Sequence, residues 1–271
     1  MIEKLEENDF SLKKYPRTPH LEGSRLQVGD EDLSQIRFSD IEGRYLVIEE
    51  KCDGANSAIS FSKDGELLLQ SRGHYLTGGY RERHYNLMKQ WAAVHQDCFF
   101  DVLGTRYIMY GEWMYAKHSV FYDALPHYFL EFDIFDREKG IFLDTASRKK
   151  LTSQMPIVSV PVLGEGIYKK QKDVLAHLGP SKYISKKHME VLRRVSEELK
   201  LDADRQCHET DSSTMMEGLY IKIEENGQVV GRLKYVRASF SQYLNESATH
   251  WLERPIIPNQ LSCSMDTLFW A

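Results

Sequence analysis

The dipeptide Asn226-Gly227 constrains the fold more than any other feature, because it lies between two β-prone segments, 217–224 and 229–236. Asn-Gly favours a two-residue turn in which both residues adopt positive φ, and such a turn joins neighbouring antiparallel strands. A second pair of β-prone segments flanks Lys63-Asp64-Gly65. The sequence therefore predicts two β-hairpins and a sheet that is largely antiparallel.

Hydrophobic periodicity and turn residues indicate the remaining elements. Strands are expected over residues 45–48, 58–62, 66–71, 107–113, 128–135 and 156–163. Helices are expected over 81–95, from Thr145 with its hydroxyl as the cap, over 185–199 and from Ser239 to about Glu253, with a polar loop over 202–214. Strands that dominate, with flanking helices in mixed order, predict an α+β domain built on antiparallel sheet.

Charge and cysteine content restrict the class of protein. A net charge of -5 argues against a protein that coats nucleic acid nonspecifically, although it allows a local basic groove. The four cysteines lack the short paired spacing of zinc sites, and their scatter favours free thiols in a reducing compartment. No apolar run reaches membrane-spanning length. We therefore expect an intracellular, cytoplasmic protein.

A candidate nucleophile follows the first predicted strand, in the segment Lys51-Cys52-Asp53-Gly54. A lysine at the end of a buried strand can be desolvated, which lowers its pKa and frees the amine to attack phosphorus. The glycine would allow a phosphate to approach the backbone closely. The same segment could form a turn with a solvated lysine, so both interpretations stay open at this point.

The hairpin around the Asn-Gly turn carries a second candidate cluster. A regular two-residue turn places Leu219 opposite Lys234 and Ile221 opposite Arg232. Side chains directly opposite each other share a sheet face, so Glu217, Arg232 and Lys234 are expected on one face. Two cations and one carboxylate on one face are typical of a phosphate and metal site, but a solvated edge hairpin with charge pairs would give the same pattern.

Six short segments occur in the order of motifs from a known enzyme superfamily. Over residues 44–236 they resemble the nucleotidyltransferase motifs of the ATP-dependent ligases and capping enzymes. The segments are Lys51-Cys52-Asp53-Gly54, Ser71-Arg72-Gly73, Gly111-Glu112, Phe132-Asp133-Ile134, Glu217-Gly218-Leu219-Tyr220-Ile221-Lys222 and Arg232-Leu233-Lys234. Asn56, with Glu50 and Arg72, is similar to the RNA ligases of the phage T4 second-ligase type. Residues 15–21 are also similar to that family, but the sequence gives them no physical role.

The resemblance implies a nucleotidyltransferase fold and an RNA ligase that joins 5′-phosphate and 3′-hydroxyl ends through lysyl-AMP. It assigns Lys51 as the nucleophile for ATP, with Lys234 and Arg232 neutralising the α-phosphate. These two cations would also lower the pKa of Lys51. Glu217 is the expected carboxylate for Mg²⁺ or Mn²⁺. Lys222 is expected to contact phosphate, although the regular register places it on the opposite face.

The resemblance also assigns residues to the nucleoside. Glu112 would bind the ribose hydroxyls, Phe132 would stack on adenine and Glu50 would bind the adenine edge. Arg72 is expected to hold a ribose or a terminal phosphate. The residues expected near the ribose and the reacting ends are Asp53, which we count as catalytic, and Asn56.

Three functions agree with these motifs. The first is an RNA ligase that acts on RNA strand ends, and the second is a DNA-joining or other nucleotidyltransferase with the same covalent step. The third is a nucleotide- or RNA-binding module without turnover.

About 35 residues follow Val236, fewer than an oligonucleotide-binding barrel needs. We expect an adenylation domain over 1–238 and a short helical tail over 239–271, with substrate binding aided by the tail, the amino-terminal segment or a partner protein.

Overall fold

A computed structural model of the chain describes residues 11–26, 30, 33–240 and 255–269. Its strands are β1 (His20–Leu21), β2 (Gln35–Ile36), β3 (Tyr45–Lys51), β4 (Ala55–Phe61), β5 (Leu67–Ser71), β6 (Tyr107–Trp113), β7 (Phe129–Asp136), β8 (Ile141–Phe142), β9 (Val158–Ser159), β10 (Val162–Ile167), β11 (Gly218–Glu225) and β12 (Gln228–Val236). Its α-helices are α1 (Asn86–Val94), α2 (Gln96–Leu103), α3 (Thr145–Leu151), α4 (Gln171–Leu175), α5 (His188–Glu198) and α6 (Ala203–His208). Among these described residues, 3₁₀ helices cover Phe38–Asp40, Tyr80–Tyr85 and Met265–Phe269.

The strands form two six-stranded sheets. The first sheet has the order β10-β3-β11-β12-β1-β2, and the second has β5-β4-β6-β7-β8 with β9 alongside β7. Most pairings are antiparallel, while β1 pairs in parallel with β12 and β2, and β9 with β7. The predicted α+β architecture is confirmed, as are both hairpins.

Apolar side chains pack in three layers around the sheets. The outer face of the first sheet carries Leu46, Ile48 and Leu219, together with Val174 of α4. The outer face of the second sheet packs against α1 and α2 through residues such as Trp91. Between the sheets lies a smaller aromatic cluster formed by Tyr15, Tyr110, Phe135, Phe142 and their neighbours. The inner faces of both sheets therefore meet across a narrow space, and the polar residues described below line it.

The predicted register of the β11–β12 hairpin is wrong by one residue. Glu225 pairs with Gln228 as expected, but a β-bulge at Val230 shifts every later pair. Lys222 consequently faces Arg232, and Tyr220 faces Lys234. Since a one-residue shift moves side chains to the other face, Lys222 shares the inner face with both of these cations.

Three helix predictions also need correction. Asp144 caps α3, because its carboxylate accepts a hydrogen bond from the Ser147 amide, whereas the Thr145 hydroxyl donates to Glu224. The expected loop over 202–214 contains α6, capped by Asp202. The expected helix over 81–95 is a 3₁₀ helix followed by α1, and α2 was not predicted.

The described part of the carboxy-terminal stretch, residues 255–269, packs against the second sheet. Asn259 is fully buried, donates to the Met114 carbonyl at 2.7 Å and accepts from the Tyr122 amide at 2.9 Å. Leu268 joins the main apolar core. The helix expected from 239 to 253 falls almost entirely outside the described residues. Within the described ranges, no helix has the length and apolar character that crossing a membrane requires.

Candidate active site

The side chain of Lys51 lies at the end of β3, where this strand pairs with the start of β11. The Lys51 Nζ atom donates to the Glu217 Oε2 atom at 2.6 Å. The Lys51 side chain is 21% exposed, while Glu217 is only 1% exposed. The amine is therefore accessible to solvent and is hydrogen-bonded to a buried carboxylate.

Two more carboxylates, from Asp53 and Glu112, influence the same amine, and we call these four residues the Lys51 site. Burial alone would lower the pKa of Lys51, but Glu217, aided by these two carboxylates, raises it above the ordinary value. The expected net lowering of the Lys51 pKa by Lys234 and Arg232 is therefore not seen in this structure, because the carboxylates outweigh any cation nearby. The amine is an ammonium ion at neutral pH.

Burial also changes the two added carboxylates. It raises the pKa of Glu112 to about 8, against the opposing charge of Lys51. Burial likewise raises the pKa of Asp53, whose Oδ2 atom accepts from the amides of Ser119 and Val120 at 2.8 and 2.9 Å. Glu112 is therefore largely protonated near neutral pH, and it can donate as well as accept a hydrogen bond.

Gly54 brings the loop after β3 against β6. A Cβ atom at this position would lie 2.7 Å from the Met114 Sδ atom and 2.9 Å from the Trp113 carbonyl oxygen. The Gly54 amide donates to the Glu112 Oε1 atom at 3.2 Å. The glycine is thus required by the close approach of β6, which places Glu112 beside the Lys51 site, and not by a phosphate as the sequence suggested.

Lys234 approaches the Lys51 site from β12 and is held by the amino-terminal segment. Its Nζ atom donates to Asp30 Oδ2, which also lies 3.1 Å from the Nε2 atom of the fully buried His20. Burial lowers the pKa of Lys234, Asp30 opposes this effect, and the charge of Lys51 adds to it. Lys234 and Lys51 therefore lie close enough to repel each other.

Arg232 points to a different partner. Its Nη2 and Nε atoms donate to Asp133 Oδ2 at 2.7 and 2.9 Å, and Nε also donates to the Tyr15 hydroxyl at 2.9 Å. The guanidinium group lies 4.0 Å from the centre of the Phe142 ring. Arg232 and Lys234 project from the same sheet face, as predicted. The Arg232 guanidinium, however, already forms an ion pair with a buried carboxylate.

Lys222 belongs to the same buried set. Its Nζ atom lies 3.0 Å from Glu49 Oε2 and 3.5 Å from Asp133 Oδ1. Arg148 of α3 bonds Glu49 at 2.6 Å and Glu131 at 2.9 Å. These interactions connect three cations with three carboxylates, which we call the buried ion network. Its members are Arg148, Lys222, Arg232, Glu49, Glu131 and Asp133, and their side chains are at most 10% exposed.

The remaining predicted residues lie in different surroundings. Glu50 alternates with Lys51 and faces the outer side of the first sheet, where burial raises its pKa to about 7. Phe132 packs edge-to-face against Tyr15, with ring centres 5.1 Å apart. Asn56 pairs with Glu112 on the inner face of the second sheet. Arg72 is exposed just beyond β5. The structure thus brings Asn56 to the Lys51 site and directs the Glu50 side chain away from it.

Sequence reasoning missed the residues that the amino-terminal segment contributes. The Tyr15 hydroxyl donates to Asp133 at 2.6 Å and contacts the Tyr220 hydroxyl at 2.8 Å, and the Thr18 hydroxyl lies 2.9 Å from Tyr220. The only signal was the family-like segment 15–21, which had no assigned role. Asp30 and Arg148 gave no sequence signal.

The residues around Lys51 suit a nucleotide with a divalent cation. Carboxylate oxygens are the ligands that Mg²⁺ and Mn²⁺ prefer, and Lys51 and Lys234 provide charges for phosphate. Within the part of the chain that the structure describes, no group of three or more His, Cys, Asp and Glu side chains is arranged to hold a metal ion. Glu217 would have to exchange its bond with Lys51 to bind one, so its metal role stays a prediction.

Comparison with known families agrees with this geometry. The model of a family described as RNA ligase matches residues 44–236, which is most of the chain and includes both the Lys51 site and the buried ion network. The chain belongs to the RNA ligase family. This match confirms the resemblance found in the sequence motifs, while the phage T4 second-ligase branch stays a prediction.

Solved structures similar to this RNA ligase family member include several of Naegleria gruberi RNA ligase. A mutant with ATP and Mn is 16% identical, with a TM-score of 0.48, covering 82% of this chain and 60% of that chain. The same ligase with PPi is 16% identical, with a TM-score of 0.45, covering 81% and 59%. The chain thus spans about three fifths of the length of these relatives. A comparison with curated proteins finds no match.

Proposed function

We propose that the protein is an ATP-dependent RNA ligase that carries AMP on Lys51. The observation that carries this proposal is the partly exposed Lys51 amine, paired with Glu217 inside the region that matches the RNA ligase family. Lys51 would attack the α-phosphate of ATP and release pyrophosphate. AMP would then pass to an RNA 5′-phosphate, and a 3′-hydroxyl would displace it to join the strands.

The Lys51 ammonium must lose a proton before it attacks. Glu217, 2.6 Å away, would release this amine when it binds the cation, and the partly exposed Lys51 would then pass its proton to solvent. Lys234 would neutralise charge on the phosphate, since such transfers depend mainly on alignment and electrostatic stabilisation. Arg232 and Lys222 would support the site through Asp133 instead of contacting phosphate. Asp53 is held by two backbone amides and would position the loop that follows Lys51.

Several residues would bind the nucleoside and the cation. Glu112, protonated near neutral pH, would hydrogen-bond to ribose hydroxyls together with Asn56. Phe132 would supply an aromatic surface for adenine, and Glu50 would bind the adenine edge only if the base reached the outer face of the first sheet, where the Glu50 side chain lies. Glu217 would bind Mg²⁺ or Mn²⁺, which when bound neutralises phosphate charge.

We also propose a domain organisation and a cellular compartment. Residues 1–238 would form the adenylation domain and 239–271 the short tail, with a partner protein able to contribute substrate binding. All four cysteines are free thiols, which favours a reducing, intracellular compartment.

Intact mass spectrometry after incubation with ATP and Mg²⁺ tests the function. We expect one AMP adduct that pyrophosphate reverses and that Lys51→Ala abolishes, because no other amine holds this position. Lys172→Ala, an exposed lysine on α4, is the matched control. An adduct of equal yield in Lys51→Ala would contradict the proposal. Sealing of matched RNA and DNA nicks then separates an RNA ligase from a DNA-joining enzyme.

A further inference from the structure

A cavity of about 510 Å³ lies between the amino-terminal segment and the end of β5. Its volume falls within the usual range of ligand pockets. Three of its six lining residues are cations. The lining residues are Lys14, Tyr15, Pro16, Arg17, Arg72 and Gly73.

Positive charge is concentrated at this cavity, although the net charge of the whole chain is -5. Lys14, Arg17 and Arg72 are all exposed at the cavity, while the buried Tyr15 forms part of its wall. Clustered cations in a concave surface attract anions. The planar guanidinium groups of arginines match phosphate oxygens in particular.

The backbone that presents Lys14 is fixed on both sides. The Lys13 carbonyl accepts from the Tyr110 hydroxyl at 2.7 Å and from the Gln70 side chain at 3.0 Å. The Tyr15 hydroxyl is anchored to Asp133. The cavity is therefore a defined part of the fold, not a chance gap between loose side chains.

Two connections join the cavity to the Lys51 site. The Arg17 Nη2 atom lies 3.7 Å from the Oδ1 atom of Asp30, whose other oxygen binds Lys234. On the opposite side, Arg72 directly follows Ser71, which pairs with Ser57 beside Asn56. The cavity is thus linked to Lys234 through Asp30 and to the strand of Asn56 through Ser71 and Ser57.

We propose that this cavity is a phosphate-binding subsite in which Lys14 and Arg17 act together with Arg72. The phosphate belongs either to the backbone of an RNA strand or to the tail of the nucleotide. The exposure of all three cations favours a ligand that continues into solvent, which an RNA strand does. The identity of the ligand rests on the proposed function, whereas the subsite itself rests on the geometry.

Fluorescence anisotropy with a labelled, 5′-phosphorylated single-stranded oligoribonucleotide tests the subsite, without ATP, on the full chain. For Lys14→Ala we expect Kd to rise about three- to fivefold, the scale of one exposed charge contact. Between roughly 50 and 200 mM salt, the negative slope of log association constant against log salt concentration should become less steep by about 0.7. Lys172→Ala is the control.

The KM for ATP in AMP-adduct formation identifies the source of the phosphate. A raised KM in Lys14→Ala with unchanged RNA affinity assigns the subsite to the nucleotide. RNA affinity and KM that both match the Lys172→Ala control would overturn the subsite. Because RNA binding is measured without the covalent step, a wild-type protein that forms no adduct would count against the proposed function alone.

Discussion

The Lys51 site and the buried ion network lie between the same two sheets but differ in how their charges are balanced. In the network, three cations meet three carboxylates in full burial, and each carboxylate has at least one cationic partner. At the Lys51 site, one partly exposed amine faces three acidic side chains, of which Glu112 is largely protonated near neutral pH. A balanced, enclosed set fixes structure. Acidic groups that outnumber an amine beside solvent can instead attract a divalent cation, and that cation together with Lys51 could then attract a phosphate.

The largest expected effect tests the structural side of this comparison. Arg148→Met should lower the free energy of unfolding by about 3 to 5 kcal/mol, because it leaves Glu49 and Glu131 buried without their guanidinium partner. Urea denaturation measures the change. The matched control is Lys150→Met, exposed on the same helix, which should cost less than about 0.5 kcal/mol. Equal destabilisation by both variants would show that the network does not hold the sheets together.

The next largest expected effect concerns the Lys51 site. Glu217→Ala and Lys234→Ala should each slow AMP-adduct formation by roughly 10²- to 10³-fold, or about 2.7 to 4 kcal/mol, the cost of one lost electrostatic contact at a transition state. Time-resolved intact mass spectrometry measures the rate, and unfolding curves check that each variant is folded. Labelling at the wild-type rate in either variant would remove that residue from the proposed mechanism.

A smaller, pH-dependent effect is expected at Glu50, which lies on the strand that joins both regions. Its pKa is raised from 4.5 to about 7 by burial, so the unfolded chain loses this proton first as pH rises. Stability of the wild type should therefore fall by up to about 3 kcal/mol between pH 4.5 and 7, relative to Glu50→Gln. Denaturation of both proteins across this range measures the difference, with exposed Glu190→Gln as the control. A difference in unfolding free energy between the two proteins that stays constant with pH would contradict the burial of a protonated Glu50.

The sequence predicted the strands and helices better than it predicted the register of paired strands. Local turn chemistry identified the Asn226-Gly227 hairpin. The motif order assigned Lys51 and Glu217 to one site, as nucleophile and metal ligand, and the structure brings their side chains into contact. The bulge at Val230 left no local signal, so the predicted register put Lys222 on the wrong face. A bulge depends on packing between sheets, and sequence spacing alone does not report such packing.

The same limit explains the misjudged cations. Arg232 and Lys234 are equivalent in the pattern, since they are two residues apart on one strand. Only the tertiary structure reveals that Asp133 holds the first while Asp30 holds the second. Likewise, Lys234 and Arg232 were expected to lower the pKa of Lys51, but carboxylates from β6 and from the residue before β11 have the larger effect and raise it.

The parallel pairing of β1 with β12 has a consequence for how the molecule is made. Asp30 and Lys234 are separated by 204 positions, and Tyr15 and Tyr220 by 205. At ordinary rates of translation, the early residues leave the ribosome roughly 10 to 40 s before their partners exist. Contacts of such high sequence separation also form slowly. A nascent chain would therefore carry Lys51 and Asp30 well before it acquires Lys234, which Asp30 holds in the finished fold.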